Sequence, residues 1–188
     1  MSAGTAAAIA LSLAGAAEPD AEGLWTLLAR GGQVVVVRHA TTDPGVGDPP
    51  GFRLDACATQ RNLSGEGRAE AARLGAALRA RGVPVARVLS SRWCRCLETA
   101  RLAFGRAEPW PPLDSIFENR SREREQTGAV RRAILAHRPD DGTLVLVTHG
   151  ANISALTGIS PAQGELVVIT PGEEEFTVRG RLAPADGK

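Results

Sequence analysis

Val34-Val35-Val36-Val37-Arg38-His39-Ala40-Thr41 is the stretch on which the reading of this chain turns. Four β-branched apolar residues in a row describe a strand buried on both faces, as in a parallel sheet. An arginine and a histidine stand where that strand ends. Open α/β sheets bind their ligands at the carboxyl ends of the strands, so the pair marks a candidate site. A guanidinium beside a nucleophilic imidazole points to chemistry on an anion, with phosphate the leading choice.

A second apolar run, residues 143–147, leads into Thr148-His149-Gly150. Parallel strands present their C-terminal ends on one edge, so His39 and His149 can converge there. Residues 85–89 read as another short strand. Ser90-Ser91 is then expected to cap a helix running to about residue 104, with Trp93, Cys96, Leu97 and Ala100 on its apolar face. Its first turn would hold Arg92 and Arg95, and a helix N-terminus favours anions. Arg38, His39, His149 and one of Arg92 or Arg95 are therefore expected around one phosphate.

Further elements complete an α/β pattern. A helix over residues 21–30 ends at Gly31-Gly32, and Ser64 caps a helix carrying Ala71, Leu74, Gly75 and Leu78 at helical spacing. Residues 109–112 break the chain, 121–137 read as a helix with Val130 and Ile134 inward, and 151–157 look helical. Residues 165–169 and 175–178 are the final strands. Alternating strands and helices predict one α/β domain with a mostly parallel sheet. Residues 40–62 form a long loop rich in Gly, Pro and Asp that starts at the Arg-His pair. Such a loop is either a substrate-contacting lid or a solvated excursion.

At 188 residues the chain suits a single domain with its own core. A formal charge of +1 does not indicate a nucleic-acid partner. Arg greatly outnumbers Lys, Lys188 being the one lysine; this suits bidentate phosphate binding, and follows equally from GC-rich coding. Residues 6–17 are small and apolar, with Ala14-Gly15-Ala16 fitting a signal-cleavage pattern, although no basic residue precedes Arg30. The run is too short to span a bilayer. Residues 1–17 are accordingly expected to be a cleaved export signal or a disordered leader, with the domain at 18–188. The expected location is periplasmic or secreted, with cytoplasmic the alternative. In an exported protein Cys57 could pair with Cys94 or Cys96, leaving one thiol over. Cys94 and Cys96, two apart on a helix, point in different directions. Three cysteines do not make a closed zinc site, and neither metal nor cofactor is expected.

These motifs, in this order, resemble those of the histidine phosphatase superfamily over roughly residues 33–169. Arg38-His39-Ala40 resembles its Arg-His-Gly signature, and Leu63-Ser64 with Gly67 and Ala71 its following helix start. Ser90-Ser91-Arg92-Trp93-Cys94-Arg95-Cys96-Leu97-Glu98-Thr99-Ala100 resembles its second arginine segment, and Val145-Leu146-Val147-Thr148-His149-Gly150 its second histidine motif. The resemblance implies a three-layer α/β/α fold of phosphoglycerate mutase type. It implies that His39 is a nucleophile forming phosphohistidine, while Arg38, Arg95 and His149 bind phosphoryl oxygens. Arg95 is selected because it stands four residues before Thr99, which leaves Arg92 to the rim or surface. His149 could be cationic when phosphate is bound.

For the general acid, Glu118 is the nearest match and Asp114 the runner-up, whereas Glu123 and Glu125 read as solvated helix charges. Ala40 replaces the usual Gly, and the Asn usual soon after the Arg-His pair is missing. Thr41 or Thr42 is expected to stand in for its phosphate contacts. Arg61 either reaches a second anionic group or lies on the surface. His137, at a helix C-terminus, needs no function, and Gly45-Val46-Gly47 is not a dinucleotide fingerprint.

The function expected from this resemblance is a metal-independent, branch-1-type phosphomonoester phosphatase acting on a small phosphorylated metabolite or envelope sugar. The overall look is similar to lipopolysaccharide core heptose phosphate phosphatases. The domain looks too short for acid phosphatase or phytase insertions and lacks an obvious second phosphate loop of the mutases. The alternatives are a phosphohistidine-protein phosphatase and a phospho-ligand binding module without turnover. The expected partner is a small phosphorylated substrate, with no nucleic acid and no stable membrane insertion; oligomeric state stays open.

Overall fold

The computed structural model describes residues 19–183, and the expected leader at residues 1–17 lies outside them. Strands β1 (Val34–Arg38), β2 (Val85–Ser90), β3 (Glu108–Pro109), β4 (Thr143–Thr148), β5 (Leu166–Thr170) and β6 (Thr177–Leu182) form one sheet, in the order β3-β2-β4-β1-β5-β6. The β1–β4, β2–β4 and β2–β3 pairs are parallel, whereas β5 runs antiparallel to both β1 and β6. The parallel half carries the candidate site.

The valine run explains the layering. Successive side chains of a strand point to opposite faces. Val35 and Val37 pack with Val145 and Val147 under α1 (Ala21–Ala29), α2 (Gly65–Ala80) and α3 (Cys94–Phe104). Val34 and Val36 pack with Leu144 and Leu146 under α4 (Glu123–Leu135) and α5 (Gly150–Thr157). The result is a three-layer α/β/α sandwich. Each fully buried valine of β1 contributes roughly 1.5–3 kcal/mol.

Local chemistry sets the helix ends. Asp20 caps α1 by accepting from the Gly23 N–H at 2.9 Å, and Ser64 caps α2 by accepting from the Gly67 N–H at 3.0 Å. Gly105 and Gly158 close α3 and α5 in the left-handed region, at φ 72° and 77°. Two glycines of α2 allow close approach. A β-carbon on Gly75 would stand 2.1 Å from the Ala103 carbonyl oxygen of α3, and one on Gly67 would stand 1.8 Å from that of Thr41.

Two expectations are corrected. Ser90-Ser91 does not cap a helix: Ser90 ends β2, and the Ser91 N–H extends the sheet pairing by donating to the Val147 carbonyl at 2.9 Å. With the backbone still extended there, α3 starts only at Cys94, and Arg92 precedes it rather than sitting in its first turn. The helix expected over 121–137 opens as a 3-10 turn, Arg120–Arg122, before α4. No helix among the described residues is long and apolar enough to cross a membrane.

Candidate active site

Strands β1 and β4 pair so that Arg38 lies opposite Thr148, which delivers the next residues, His39 and His149, side by side. Their ring centroids are 5.5 Å apart. The His39 Nδ1 lies 2.9 Å from the Ala40 carbonyl oxygen. A carbonyl only accepts, so Nδ1 carries the proton and Nε2 keeps its lone pair. Burial, together with the positive charge of Arg95, Arg38 and Arg61, pushes the His39 pKa down to about 3. The imidazole is therefore neutral at ordinary pH.

His149 is buried, with Nε2 at 2.8 Å from the Ser91 hydroxyl and 3.5 Å from the Cys96 thiol. Burial, then His39 and the arginines, hold its pKa well below the ordinary value. Without a bound anion it is neutral; the cationic form expected above would need the phosphate charge to offset these effects.

Arg38 donates from NH1 to the Pro161 carbonyl at 2.8 Å, and Gly150 leaves room for it. Arg95, on the first turn of α3, is 3% exposed and ion-paired with Asp48 at 2.7 Å. The Nε–H groups of Arg38 and Arg95 are both buried without a protein partner. Arg73, Thr143 and Arg179 also carry such atoms, but only Arg38 and Arg95 among these line the cleft, where an acceptor from outside the chain can meet their donors. Arg61 donates from Nε to the Gly47 carbonyl at 2.8 Å and from NH1 to the Thr42 hydroxyl at 2.5 Å.

The cleft has a volume of about 810 Å³, and Arg38, His39, Arg61, Arg95, Glu118 and His149 all line it. Thr42 lines it too, whereas Thr41 does not. Thr41 is tied to α2 instead: its N–H donates to the Glu70 carboxylate at 2.8 Å and its carbonyl accepts from the Ser64 N–H. Asp114, the runner-up acid, is also outside the lining. Its carboxylate is buried and taken up by Arg92, through the backbone N–H at 3.0 Å and Nε at 2.8 Å. Glu118 is exposed at the cleft. Glu123 pairs with Arg120 at 2.8 Å, Glu125 pairs with Arg122, and His137 Nε2 meets the Gly142 carbonyl at 2.8 Å.

Sequence reading missed Asp48, which gathers Arg95, Trp93 and the Arg61 backbone. The one hint was its place in the long loop, between Gly47 and Pro49-Pro50. That loop is fastened to α3 by a Cys57–Cys94 disulfide, and the Gln60 side-chain carbonyl accepts from the Cys94 N–H at 2.9 Å. Cys96 is the remaining thiol, buried. Thr99 joins α3 to the nucleophile segment, accepting from the Ala40 N–H at 3.1 Å while donating to the Arg95 carbonyl. Among the described residues no cluster of three or more His, Cys, Asp or Glu side chains could hold a metal ion.

The family model of the histidine phosphatase superfamily, branch 1, matches residues 34–125. Over that stretch the chain is similar to the histidine phosphatases of branch 1. Its fold has many neighbours among solved structures. A phosphoserine phosphatase from Entamoeba histolytica, solved with 3-phosphoglyceric acid, aligns with TM-score 0.61 and 12% identity, over 81% of this chain and 98% of its own. An Escherichia coli K-12 protein, provisionally described as an alpha-ribazole-5'-P phosphatase, aligns with TM-score 0.62 and 18% identity, over 83% and 99%. The protein histidine phosphatase SixA, solved with tungstate, aligns with TM-score 0.52 and 18% identity, over 81% and 97%. At these identities the likeness is one of fold. A search of curated protein sequences returns no match.

Proposed function

We propose that this phosphatase hydrolyses phosphomonoesters of small molecules through a phosphohistidine on His39, without a metal. The observation that carries the reading is the pair of unpartnered, buried Nε–H donors on Arg38 and Arg95, beside an imidazole that is neutral with its Nε2 lone pair free. Phosphoryl transfer asks mainly for positioning and for neutral balance of the equatorial oxygens, which these groups supply. His39 Nε2 forms the N–P bond as the bond from phosphorus to the leaving oxygen breaks, and Glu118 gives that oxygen its proton. Water then attacks phosphorus, Glu118 takes a proton back, the N–P bond breaks, and inorganic phosphate leaves neutral His39. Each oxyanion donor of this kind is worth about 10²–10³ in rate.

A cleft of about 810 Å³ suits a small phosphorylated metabolite or an envelope sugar phosphate. The Cys57–Cys94 disulfide supports a periplasmic or secreted location, because such bonds are rare in a reducing cytosol. A second reading, removal of phosphate from histidine on a protein, draws support from the SixA likeness. Glu118 at the cleft favours the ester, since an alcohol leaves poorly without a proton.

The test is turnover of p-nitrophenyl phosphate with and without EDTA, together with rapid acid quench and phosphohistidine detection. Wild type should turn over in EDTA and trap label on His39, and His39→Ala should do neither. Unchanged turnover in His39→Ala overturns the nucleophile, and loss of activity in EDTA overturns the metal-free route. Phosphate binding without turnover would instead make the chain a binding module. Faster turnover of a phosphohistidine protein than of any small ester would favour the second reading.

A further inference from the structure

Asp48 is an acid in an anion site. Its side chain is 4% exposed, as is that of Arg95, and it lines the cleft with His39. One carboxylate oxygen accepts from Arg95 NH1 at 2.7 Å and from the Arg61 N–H at 2.9 Å. The other accepts from Arg95 NH2 at 3.1 Å and from the Trp93 indole N–H at 2.9 Å. Burial alone would raise its pKa, but the hydrogen bonds from Arg95, the Arg61 backbone and Trp93 outweigh that and hold it below the usual carboxylate range. With both oxygens occupied and the charge retained, Asp48 is not a proton donor.

We propose that Asp48 is a positioning residue for phosphoryl transfer: it locks the guanidinium of Arg95 so that the unpartnered Nε–H faces the transferring group. The proposal rests on the phosphatase reading given above. A guanidinium is a planar, rigid fork, so fixing its terminal edge fixes the direction of Nε–H. NH1 is held a second time by the Arg61 carbonyl at 3.3 Å, and the orphaned donor is the Nε–H. Asp48 is itself anchored from two directions, by the indole of Trp93 and by the loop backbone at Arg61, so it is a rigid abutment. It also adjusts charge. Arg38, Arg61 and Arg95 less Asp48 leave two positive charges beside two neutral histidines, which matches a phosphate dianion. A carboxylate here weakens the attraction for bound phosphate and improves its alignment. Its effect should therefore fall on kcat more than on ground-state binding.

The experiment is a double-mutant cycle on p-nitrophenyl phosphate, with Asp48→Asn, Asp48→Ala, Arg95→Ala and the Asp48→Ala/Arg95→Ala double variant, alongside calorimetric binding of inorganic phosphate. Asp48→Asn keeps the side-chain shape and should remain folded if Asp48→Ala does not; in that event Asp48→Asn takes its place in the cycle. Asp48 variants should lose about 10- to 100-fold in kcat with KM changed less than about 3-fold. Inorganic phosphate should bind Asp48→Asn at least as tightly as wild type, an outcome that simple collapse of the site would not give. In the Arg95→Ala background the second substitution should cost less than about 3-fold. An active wild type with Asp48→Asn at full kcat, or equal losses in both backgrounds, overturns the role of Asp48 and leaves the phosphatase reading intact. An inactive wild type overturns the phosphatase reading; the Asp48 role is then read in phosphate affinity, where weaker binding by Asp48→Asn than by wild type, or an equal change in both Arg95 backgrounds, overturns the Asp48–Arg95 coupling.

Discussion

His39 and His149 meet at 5.5 Å, centroid to centroid, with their rings inclined at 69°. Neither ring is placed by a flexible loop. Each follows the last residue of a strand, and the two strands are hydrogen-bonded neighbours, with the His39 N–H donating to the Thr148 carbonyl at 3.0 Å. Rigid elements hold reacting groups more tightly than loops do.

Neutral His39 has a consequence for pH. Its folded pKa is about 3 against an ordinary 6.5, so between those values the unfolded chain takes a proton that the folded chain refuses. Stability is then complete above pH 6.5 and falls as pH drops toward 3. From about pH 6.5 to 4.5, His39 should account for a loss of about 2–3 kcal/mol, which His39→Asn removes. Urea unfolding across that range checks it, and identical slopes for the two proteins would refute it. The imidazole resonances of His39 should also show no titration near pH 6.5.

What was legible beforehand and what was not follow from range. β1 and β4 could be read because an apolar run bounded by polar residues is a local signal. Arg95 and His149 could be read because each stands in a contiguous motif. Asp48 and Arg95 are 47 positions apart, and Arg92 and Asp114 are 22 apart. Nothing local in either partner announces such a pair. Thr41 and Thr42 were equivalent on paper. In the fold Thr41 is seated against α2 at Gly67 and Glu70, and Thr42 borders the cleft.

Glu118 should act on the leaving group alone. Glu118→Gln is expected to slow hydrolysis of an alkyl phosphate by about 10²-fold or more, and that of p-nitrophenyl phosphate by less than about 10-fold, because nitrophenolate departs without a proton. Steady-state kinetics on the two esters decide the matter. Equal losses would remove Glu118 as the donor.

The disulfide closes a separation of 37 residues. By loop-closure entropy, Cys57→Ser should cost about 3–4 kcal/mol. Denaturant unfolding of Cys57→Ser, and of wild type in reductant, should agree. A reduced wild type as stable as the oxidised one would contradict this.

Two glycine substitutions should differ in sign. A β-carbon on Gly67 would collide with the Thr41 carbonyl at 1.8 Å, so Gly67→Ala should destabilise by about 2 kcal/mol or more. On Gly128 of α4 the nearest atom is the end of Arg132 at 3.5 Å, and Gly128→Ala should stabilise by up to about 1 kcal/mol. Paired thermal melts test both.

The loop that carries Asp48 and Arg61 leaves and rejoins the fold at one place: Thr42 bridges to Leu63, and the Asp43 N–H donates to the Asn62 carbonyl at 3.1 Å. Its ends are stitched together, and its far side is pinned by Cys57 to Cys94. That makes it a cassette. An insertion or exchange within residues 43–61 that keeps Asp48, Cys57 and Arg61 would recut one wall of the cleft without moving the two strands that bear the histidines, so new substrates become reachable while the reacting centre is inherited intact.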